Sequence, residues 1–370
     1  MIQVIAVQSK KQLKQFIMLP FRLYRNDSCW VAPLIGEQKK FFDPRHNPFY
    51  EHSEAQLFVA VENDRVVGRI SAHTNTEHNK EHNDNCGFFG FFESEDRMDV
   101  ARALFDQAYR WNRERGRDTL RGPLNFTVND EAGLLIDGFE TSPYVMMTHN
   151  PPYYQNLYES NGMVKAMDMY AYYSDHKVIP ERVDRAAQLI QKRYGHQIRH
   201  LDKHNLKRDI ETVFEIYTKA WEYNWGYVPM TKAEFDHTVQ MLLPLVDPQL
   251  VLIAEVDGKP AGFSLAMPNY NEVLKVMKGR INPVTIIKAL LAKRRITSAR
   301  VVTMGVIREY QNRGIDTLFY YHSYKYGLPK GYYKAEFSWV LENNTRMMQV
   351  AEMLGATPYK TYRIYDQAIV

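Results

Sequence analysis

Gln311-Asn312-Arg313-Gly314-Ile315-Asp316 is the stretch of this chain whose residue types and spacing most plainly could do chemistry. It lies between an apolar strand candidate, Ala299 to Ile307, and a helix candidate in which Ile315, Leu318, Phe319 and His322 recur at helical spacing. A helix start presents backbone N–H groups without intrahelical partners and the positive end of the aligned peptide dipoles, which together attract an anion. Gly314 lets the backbone approach a phosphate closely, and Arg308 and Arg313 add positive charge. With Val306, Gln311, Asn312, Ile315 and Asp316 they form a candidate pyrophosphate cradle. A plain strand-to-helix turn would use Gly314 in the same way.

Two other clusters carry reactive residue types. Asn129-Asp130-Glu131 follows a strand-like run, Thr119 to Val128, and polar groups at a strand end beside a crevice are where α/β proteins place substrate contacts. Asp130 or Glu131 could serve there as a general base if its pKa were raised, or simply cap a solvated turn. His78-Asn79-Lys80-Glu81-His82 has the letters of a His-x-x-Glu-His zinc pattern. That chemistry needs a helix to bring both histidines to one face, whereas Thr74 to Asn85 has no apolar period and is rich in Asn. It reads as a hairpin loop, and no metal is assigned.

The elements that must position these residues form a repeat. Phe58-Val59-Ala60 followed by Val66-Val67-Gly68 matches Leu252-Ile253-Ala254 followed by Pro260-Ala261-Gly262, with Asn63-Asp64-Arg65 and Asp257-Gly258-Lys259 as hairpin tips. Each half continues with an apolar run, a helix, and an Asn-led helix ending in Gly before an aromatic strand: Asn150 to Gly162 then Met167 to Tyr173, and Asn343 to Gly355 then Tyr359 to Tyr365. The helix after Ser94 has Val100, Leu104, Ala108 and Trp111 on one face and Gly116 as its stop. Its start carries Glu95, Asp96 and Asp99 and no glycine, so the first half has the shape of the phosphate turn without its chemistry. A chain of 370 residues exceeds a comfortable single core, and the division expected is 1-180 and 181-370.

Between strand candidates of the second half lies an insertion, residues 271-298, with Val284, Ile286, Ile287, Leu290 and Leu291 ahead of Lys293-Arg294-Arg295. It fits a lid, a basic face touching a membrane surface or an acidic carrier protein, or a packed helix with a solvated end. No apolar run is long enough to span a bilayer and Met1 to Ser9 lacks a secretory pattern, so a cytoplasmic location is expected. Cys29 and Cys86 imply neither a disulfide framework nor a cysteine metal site. The net charge of +4 lacks the dense basic stripe of a nucleic-acid binder, so the tyrosines around Tyr320 to Tyr333 are expected in the core.

The order of elements resembles the GNAT (Gcn5-related N-acetyltransferase) fold, an α/β (α+β) architecture with a mixed sheet, here as two tandem modules. Gln311 to Gly314 match its Gln/Arg-x-x-Gly-x-Gly/Ala coenzyme-A loop, with Asp316 standing at the last position. The chain is also similar to a group of bacterial tandem GNAT-like proteins that includes YghO. That resemblance rests on Asn47-Pro48-Phe49, Gly68-Arg69-Ile70, Gly90-Phe91-Phe92-Glu93, Gly122-Pro123, Asn129-Asp130-Glu131, Gly133-Leu134-Leu135, Asp137-Gly138-Phe139 and Pro152-Tyr153-Tyr154. It implies an N-acyltransferase that moves an acyl group from acetyl-CoA or a longer acyl-CoA to a small-molecule amine or amino-acid-like acceptor. Family members often use a Tyr four residues before a Gly as the acid. Tyr158 before Gly162 matches, whereas Ala351 precedes Gly355 in the second half, so that either Tyr362 or Tyr365 substitutes, or water protonates the leaving group, or the chemistry has been lost. The tandem arrangement is also similar to aminoacyl-tRNA-dependent transferases, and Asp316 with Ala351 would suit a non-catalytic ligand-binding module.

Overall fold

The computed structural model describes residues 1–222 and 224–370. The first part of the chain runs β1 (Gln3–Ala6), α1 (Lys10–Leu23), α2 (Ile35–Phe41), β2 (Ala55–Glu62), β3 (Arg65–His73), α3 (Thr76–His82), β4 (Cys86–Ser94), α4 (Met98–Arg113), β5 (Thr119–Gly122), β6 (Leu134–Asp137), α5 (Tyr153–Glu159) and β7 (Val164–Asp175). It continues with α6 (Glu181–Tyr194), β8 (Gln197–His200), α7 (Leu206–Ala220), α8 (Lys232–Leu242), β9 (Val251–Val256), β10 (Lys259–Pro268), α9 (Asn271–Met277), α10 (Pro283–Lys293), β11 (Ser298–Val306), α11 (Ile315–Gly327), β12 (Lys334–Leu341), α12 (Thr345–Met353) and β13 (Thr357–Ala368).

Two compact units result. Unit 1 comprises Met1–Met169, Leu274–Ala289 and Lys360–Val370, and unit 2 comprises Tyr170–Val273 and Leu290–Tyr359. The units therefore do not follow one cut in the chain between 180 and 181. The last strand is counted in unit 1 because β13 forms antiparallel ladders with β5, Tyr365 opposite Gly122, and with β6, Tyr362 opposite Leu135. The 274–289 segment joins it too, the Gly279 carbonyl accepting from the Ile35 amide at 3.0 Å.

Unit 1 has the strand order β1-β2-β3-β4-β5-β13, and unit 2 runs β8-β9-β10-β11-β12-β7. In each, an antiparallel meander feeds a parallel pair, β4 with β5 and β11 with β12, across a connecting helix, α4 or α11. The expected hairpins form around left-handed residues that suit a tight two-residue turn: Asn63 and Asp64 in unit 1, Asp257 and Gly258 in unit 2. The sheet of unit 1 is covered on both faces, as β2 illustrates with a period of two. Phe58 and Ala60 pack with Val100, Leu104 and Ala108 of α4, whereas Leu57 and Val59 pack with Phe16 and Ile17 of α1.

The segment read as a loop at Thr74 to Asn85 contains the short helix α3. Asn75 caps it, its side chain accepting from the His78 amide at 3.0 Å, and Asn83 closes it in the left-handed region. Local capping thus outweighs the missing apolar period.

His73 on β3 is fully buried, its Nε2 3.0 Å from the Phe126 carbonyl. Burial pushes its pKa down to about 3, against a backbone hydrogen bond that raises it. The unfolded chain therefore takes up this proton first, and the stability contributed by neutral His73 above about pH 6.5 is lost as the pH falls toward 3. Chemical denaturation of wild type and His73→Gln across this window should show the wild type losing stability relative to the variant by up to about 1.4 kcal/mol per pH unit. Parallel curves would show that His73 does not titrate with unfolding.

Candidate functional site

The turn from β11 to α11 has the geometry that its sequence calls for. Asn312 and Gly314 are both left-handed, and Gly314 directly precedes the first residue of α11. A Cβ on Gly314 would stand 2.5 Å from Ile190 Cδ1 of α6, so the position combines a backbone that favours glycine with close packing. The first intrahelical bond here is from the Leu318 amide to the Gly314 carbonyl, 3.1 Å, which leaves the Ile315 and Asp316 amides ahead of the helical ladder.

Side chains brace this turn. Gln311 Nε2 donates to the Val306 carbonyl at 3.1 Å, and Arg313 donates to the Glu309 carbonyl at 3.3 Å while its guanidinium lies over the Tyr310 ring. The buried His196 hydrogen-bonds the Arg313 backbone and stacks on Tyr194, and burial lowers its pKa. Arg308 is exposed. Asp316, the departure from the family loop, does not present a bare charge: Oδ1 accepts from the Thr317 amide at 2.9 Å and Oδ2 from Arg346 at 3.1 Å. A carboxylate tied to a guanidinium repels a phosphate far less than a free one.

The strand leading to the turn is open. The β11–β12 ladder runs only from Ser298/Lys334 to Val301/Phe337, although both strands continue. At that point Leu265 pairs with Thr303 and Ala266 with Val301, so Val302 is an extra residue, a bulge that bends β11. Val301 to Val306 are all half-buried, unusual for an internal strand. Trp221 lies against Gly305, where a Cβ would meet its ring at 2.3 Å, and it stacks on Tyr217 and packs at a tilt against Phe263 to make an aromatic wall. Arg300, Glu336, Ser338 and Tyr359 form a buried network at the paired end: Arg300 Nε donates to Ser338 Oγ at 2.8 Å, Ser338 Oγ to Glu336 at 2.7 Å, and the Tyr359 hydroxyl also donates to Glu336.

Unit 1 has the same backbone break and fills it. Phe91 and Phe92 together oppose Ile70, and Phe91 is left-handed. Phe126 is fully buried there, stacked on Phe49 at 4.6 Å and on Phe41 at 5.3 Å, and β4 is buried almost throughout. Beside these rings, Glu93 accepts from the Tyr24 hydroxyl at 2.7 Å, the Tyr154 hydroxyl at 2.8 Å and Arg69 at 3.4 Å. Burial pushes the Glu93 carboxyl up and the Arg69 guanidinium down, desolvation outweighing their attraction. Sequence reading did not single out this cluster. Arg69, Glu93 and Tyr154 each stood in a motif of the resemblance, but nothing in their spacing brought them together with Tyr24.

Asp130, Glu131, Tyr158 and Tyr362 all belong to unit 1, whereas Val306, Arg308 and Gln311 to Asp316 belong to unit 2. Asp130 Oδ2 accepts from Thr127 Oγ1 at 3.0 Å, and Glu131 accepts from Asn125 Nδ2 at 3.2 Å, contacts that brace the 125–131 loop. Tyr158 is a core residue among Phe89, Phe92, Phe105 and Tyr365. Tyr362 and Tyr365 are fully buried on β13 and are counted in unit 1, whereas Ala351 lies in unit 2. The His78–His82 pair sits on α3 with ring centroids 4.5 Å apart. His78 Nε2 lies 3.2 Å from Asp84, which also accepts from the Cys86 thiol at 3.4 Å and stands 3.8 Å from Arg121. A guanidinium at that distance already supplies positive charge to the carboxylate.

A parallel pair that stops pairing partway and leads across a helix, present twice in one chain, with an αL-glycine turn in unit 2 and a phenylalanine plug in unit 1, defines a tandem GNAT fold. Among solved structures the chain matches a tandem GNAT protein from the clavulanic acid biosynthesis pathway with a TM-score of 0.59 and 14% identity, covering 100% of this chain and 99% of that one. It also matches a GCN5-related N-acetyltransferase from Sphaerobacter thermophilus with a TM-score of 0.53 and 13% identity, covering 100% and 96%. No family model matches. In sequence the chain is 38% identical to a bacterial ceramide synthase of Caulobacter vibrioides, over 100% of this chain and 98% of that protein, and 33% identical to YghO of Escherichia coli, over 98% and 94%. It belongs to the bacterial tandem GNAT family of these two proteins.

Removing Glu93 leaves Arg69 as an uncompensated buried charge. Glu93→Ala should therefore cost about 3–5 kcal/mol of unfolding free energy, with Arg69→Met/Glu93→Leu recovering most of it. Denaturant titration of the single and double variants checks this, and equal losses in both would show that the pair's charge is not what matters.

Proposed function

We propose that this protein transfers an acyl group from acyl-CoA to the amine of a long-chain amino alcohol of the sphingoid-base type, with unit 2 holding the donor. The observation that carries the reading is the start of α11 behind left-handed Gly314, at the end of a strand whose edge is half-exposed. The Ile315 and Asp316 amides bind the pyrophosphate, Arg308 and Arg313 add positive charge, and Arg346 holds the Asp316 carboxylate. The wall formed by Tyr217, Trp221 and Phe263 suits an aliphatic chain better than a charged acceptor. In the reaction the amine nitrogen attacks the thioester carbonyl, the carbon–sulfur bond breaks, and one proton passes overall from nitrogen to the departing thiol.

The choice of acceptor follows the relative at 38% identity, named a ceramide synthase, since a ceramide is a sphingoid base acylated on nitrogen. No helix among the described residues is long and apolar enough to cross a membrane. An acyl-CoA donor, which is met in the cytoplasm, supports a cytoplasmic location for the proposed reaction.

Calorimetry with acetyl-CoA and with a long-chain acyl-CoA below its micelle concentration tests the donor. The long-chain ligand should bind more tightly, and Gly314→Glu, confirmed folded by circular dichroism, should weaken binding by at least about tenfold, or 1.4 kcal/mol. Arg346→Ala, which frees the Asp316 charge, should weaken it by about two- to fivefold. Thiol release that depends on an added sphingoid base tests the acceptor. Absence of acyl-CoA binding by folded wild type would overturn the proposal, whereas binding without amine-dependent thiol release would leave a ligand-binding module.

A further inference from the structure

Helix α10 is built inside out. Asn282 fixes its start by reciprocal bonds, the Thr285 amide donating to Asn282 Oδ1 at 3.0 Å and the Asn282 amide to Thr285 Oγ1 at 2.9 Å. Yet none of its residues is buried. Val284, Ile286, Ile287, Leu290 and Leu291 are 44% to 62% exposed, and Ile281 just before the helix is 62% exposed. The small residues Thr285, Ala289 and Ala292, spaced four and three apart, are the half-buried ones. At about 100° per residue, the five large side chains fall in one outward arc of about 160°, with Lys288 and Lys293 at its two borders. Other exposed large apolar residues away from the termini, such as Val164, Leu189 and Met241, are scattered singly.

The charge around this arc has one sign. From Val273 to Thr297 the chain carries Lys275, Lys278, Arg280, Lys288, Lys293, Arg294 and Arg295 and no Asp or Glu. Lys275 is tied to Ser142 at 2.7 Å, and among the described residues none of the seven is ion-paired with a carboxylate. A helix with an apolar arc, lysines at its borders and basic residues beyond them lies in the plane of an anionic lipid surface, with the lysine stems reaching back to the head groups. A second copy of the chain would bring seven like charges toward seven more. At about 1.5 Å per residue, α10 is too short to cross a bilayer.

We propose that α10 docks the protein on an anionic membrane surface, its Ile287–Leu290–Leu291 face entering the lipid interface and its basic flanks contacting acidic head groups. This inference rests on the helix alone and stands whichever amine is acylated.

The test is sedimentation of the full chain with vesicles of phosphatidylcholine and of phosphatidylcholine mixed with phosphatidylglycerol, for wild type, Ile287→Asp/Leu291→Asp and Lys293→Glu/Arg294→Glu. The wild type should pellet with the mixed vesicles and much less with neutral ones, and each variant should lose binding by at least about tenfold. All substituted positions are exposed, so circular dichroism and acyl-CoA calorimetry should match wild type and separate this result from failure of the donor site. Vesicle binding unchanged in both variants would overturn the proposal. So would wild type that ignores vesicles, whether it instead binds a purified acidic acyl carrier protein or forms a dimer abolished by Ile287→Asp/Leu291→Asp.

Discussion

Each unit contains a parallel strand pair that stops pairing partway along, and its remaining architecture answers that break. Backbone donors and acceptors past the last rung need other partners or solvent. In unit 1 the partners come from the protein itself: Asn125 Oδ1 accepts from the Phe91 amide at 2.8 Å, the Leu124 amide donates to the Phe89 carbonyl at 2.8 Å, and the Tyr154 hydroxyl accepts from the Ser94 amide at 2.9 Å. Phenylalanines fill the remaining space. In unit 2 the same stretch of β11 stays half-exposed, with Gln311 serving the Val306 carbonyl. One break is thus closed by side chains, whereas the strand beside the other is only half-buried.

Charge follows the same division. At the start of α4 in unit 1, Asp99 is held by Arg97, which also pairs with Glu62, and Glu95 is held by Arg22 and Arg65. These acids stabilise the helix start and place negative charge where the helix end would otherwise attract an anion. At the start of α11 the single acid, Asp316, is drawn onto Arg346, and Arg313 of the preceding turn folds back on the Glu309 carbonyl and the Tyr310 ring. At both helix starts the acids are held by arginines, Asp99 by Arg97 in unit 1 and Asp316 by Arg346 in unit 2.

Much of the repeat was legible because it rests on local rules. The hairpin tips at Asn63-Asp64 and Asp257-Gly258 are left-handed turns formed by residues that tolerate that conformation. The helices after Ser94 and Gly314 follow from apolar spacing, and the left-handed Gly314 follows from the turn it must make. The helix at Thr76–His82 was not legible, since its roughly two turns depend on capping by Asn75 rather than on an apolar face. The cluster around Glu93 was equally hidden, because Tyr24, Arg69, Glu93 and Tyr154 are far apart in the chain and meet only through packing.

The sequence by itself therefore determined the duplicated α/β unit, the strand-to-helix turn in the second copy and its absence from the first, because periodicity, turn residues and the sign of helix-end charge act over a few neighbouring residues. Only the tertiary structure decided that β13, with Tyr362 and Tyr365, completes unit 1, that Phe126 plugs one break while β11 beside the other is half-buried, and that Asp316 meets Arg346. The physical reason is that strand partners and long-range ion pairs are selected by which surfaces remain unpaired once the local elements have formed, and those surfaces have no fixed spacing along the chain.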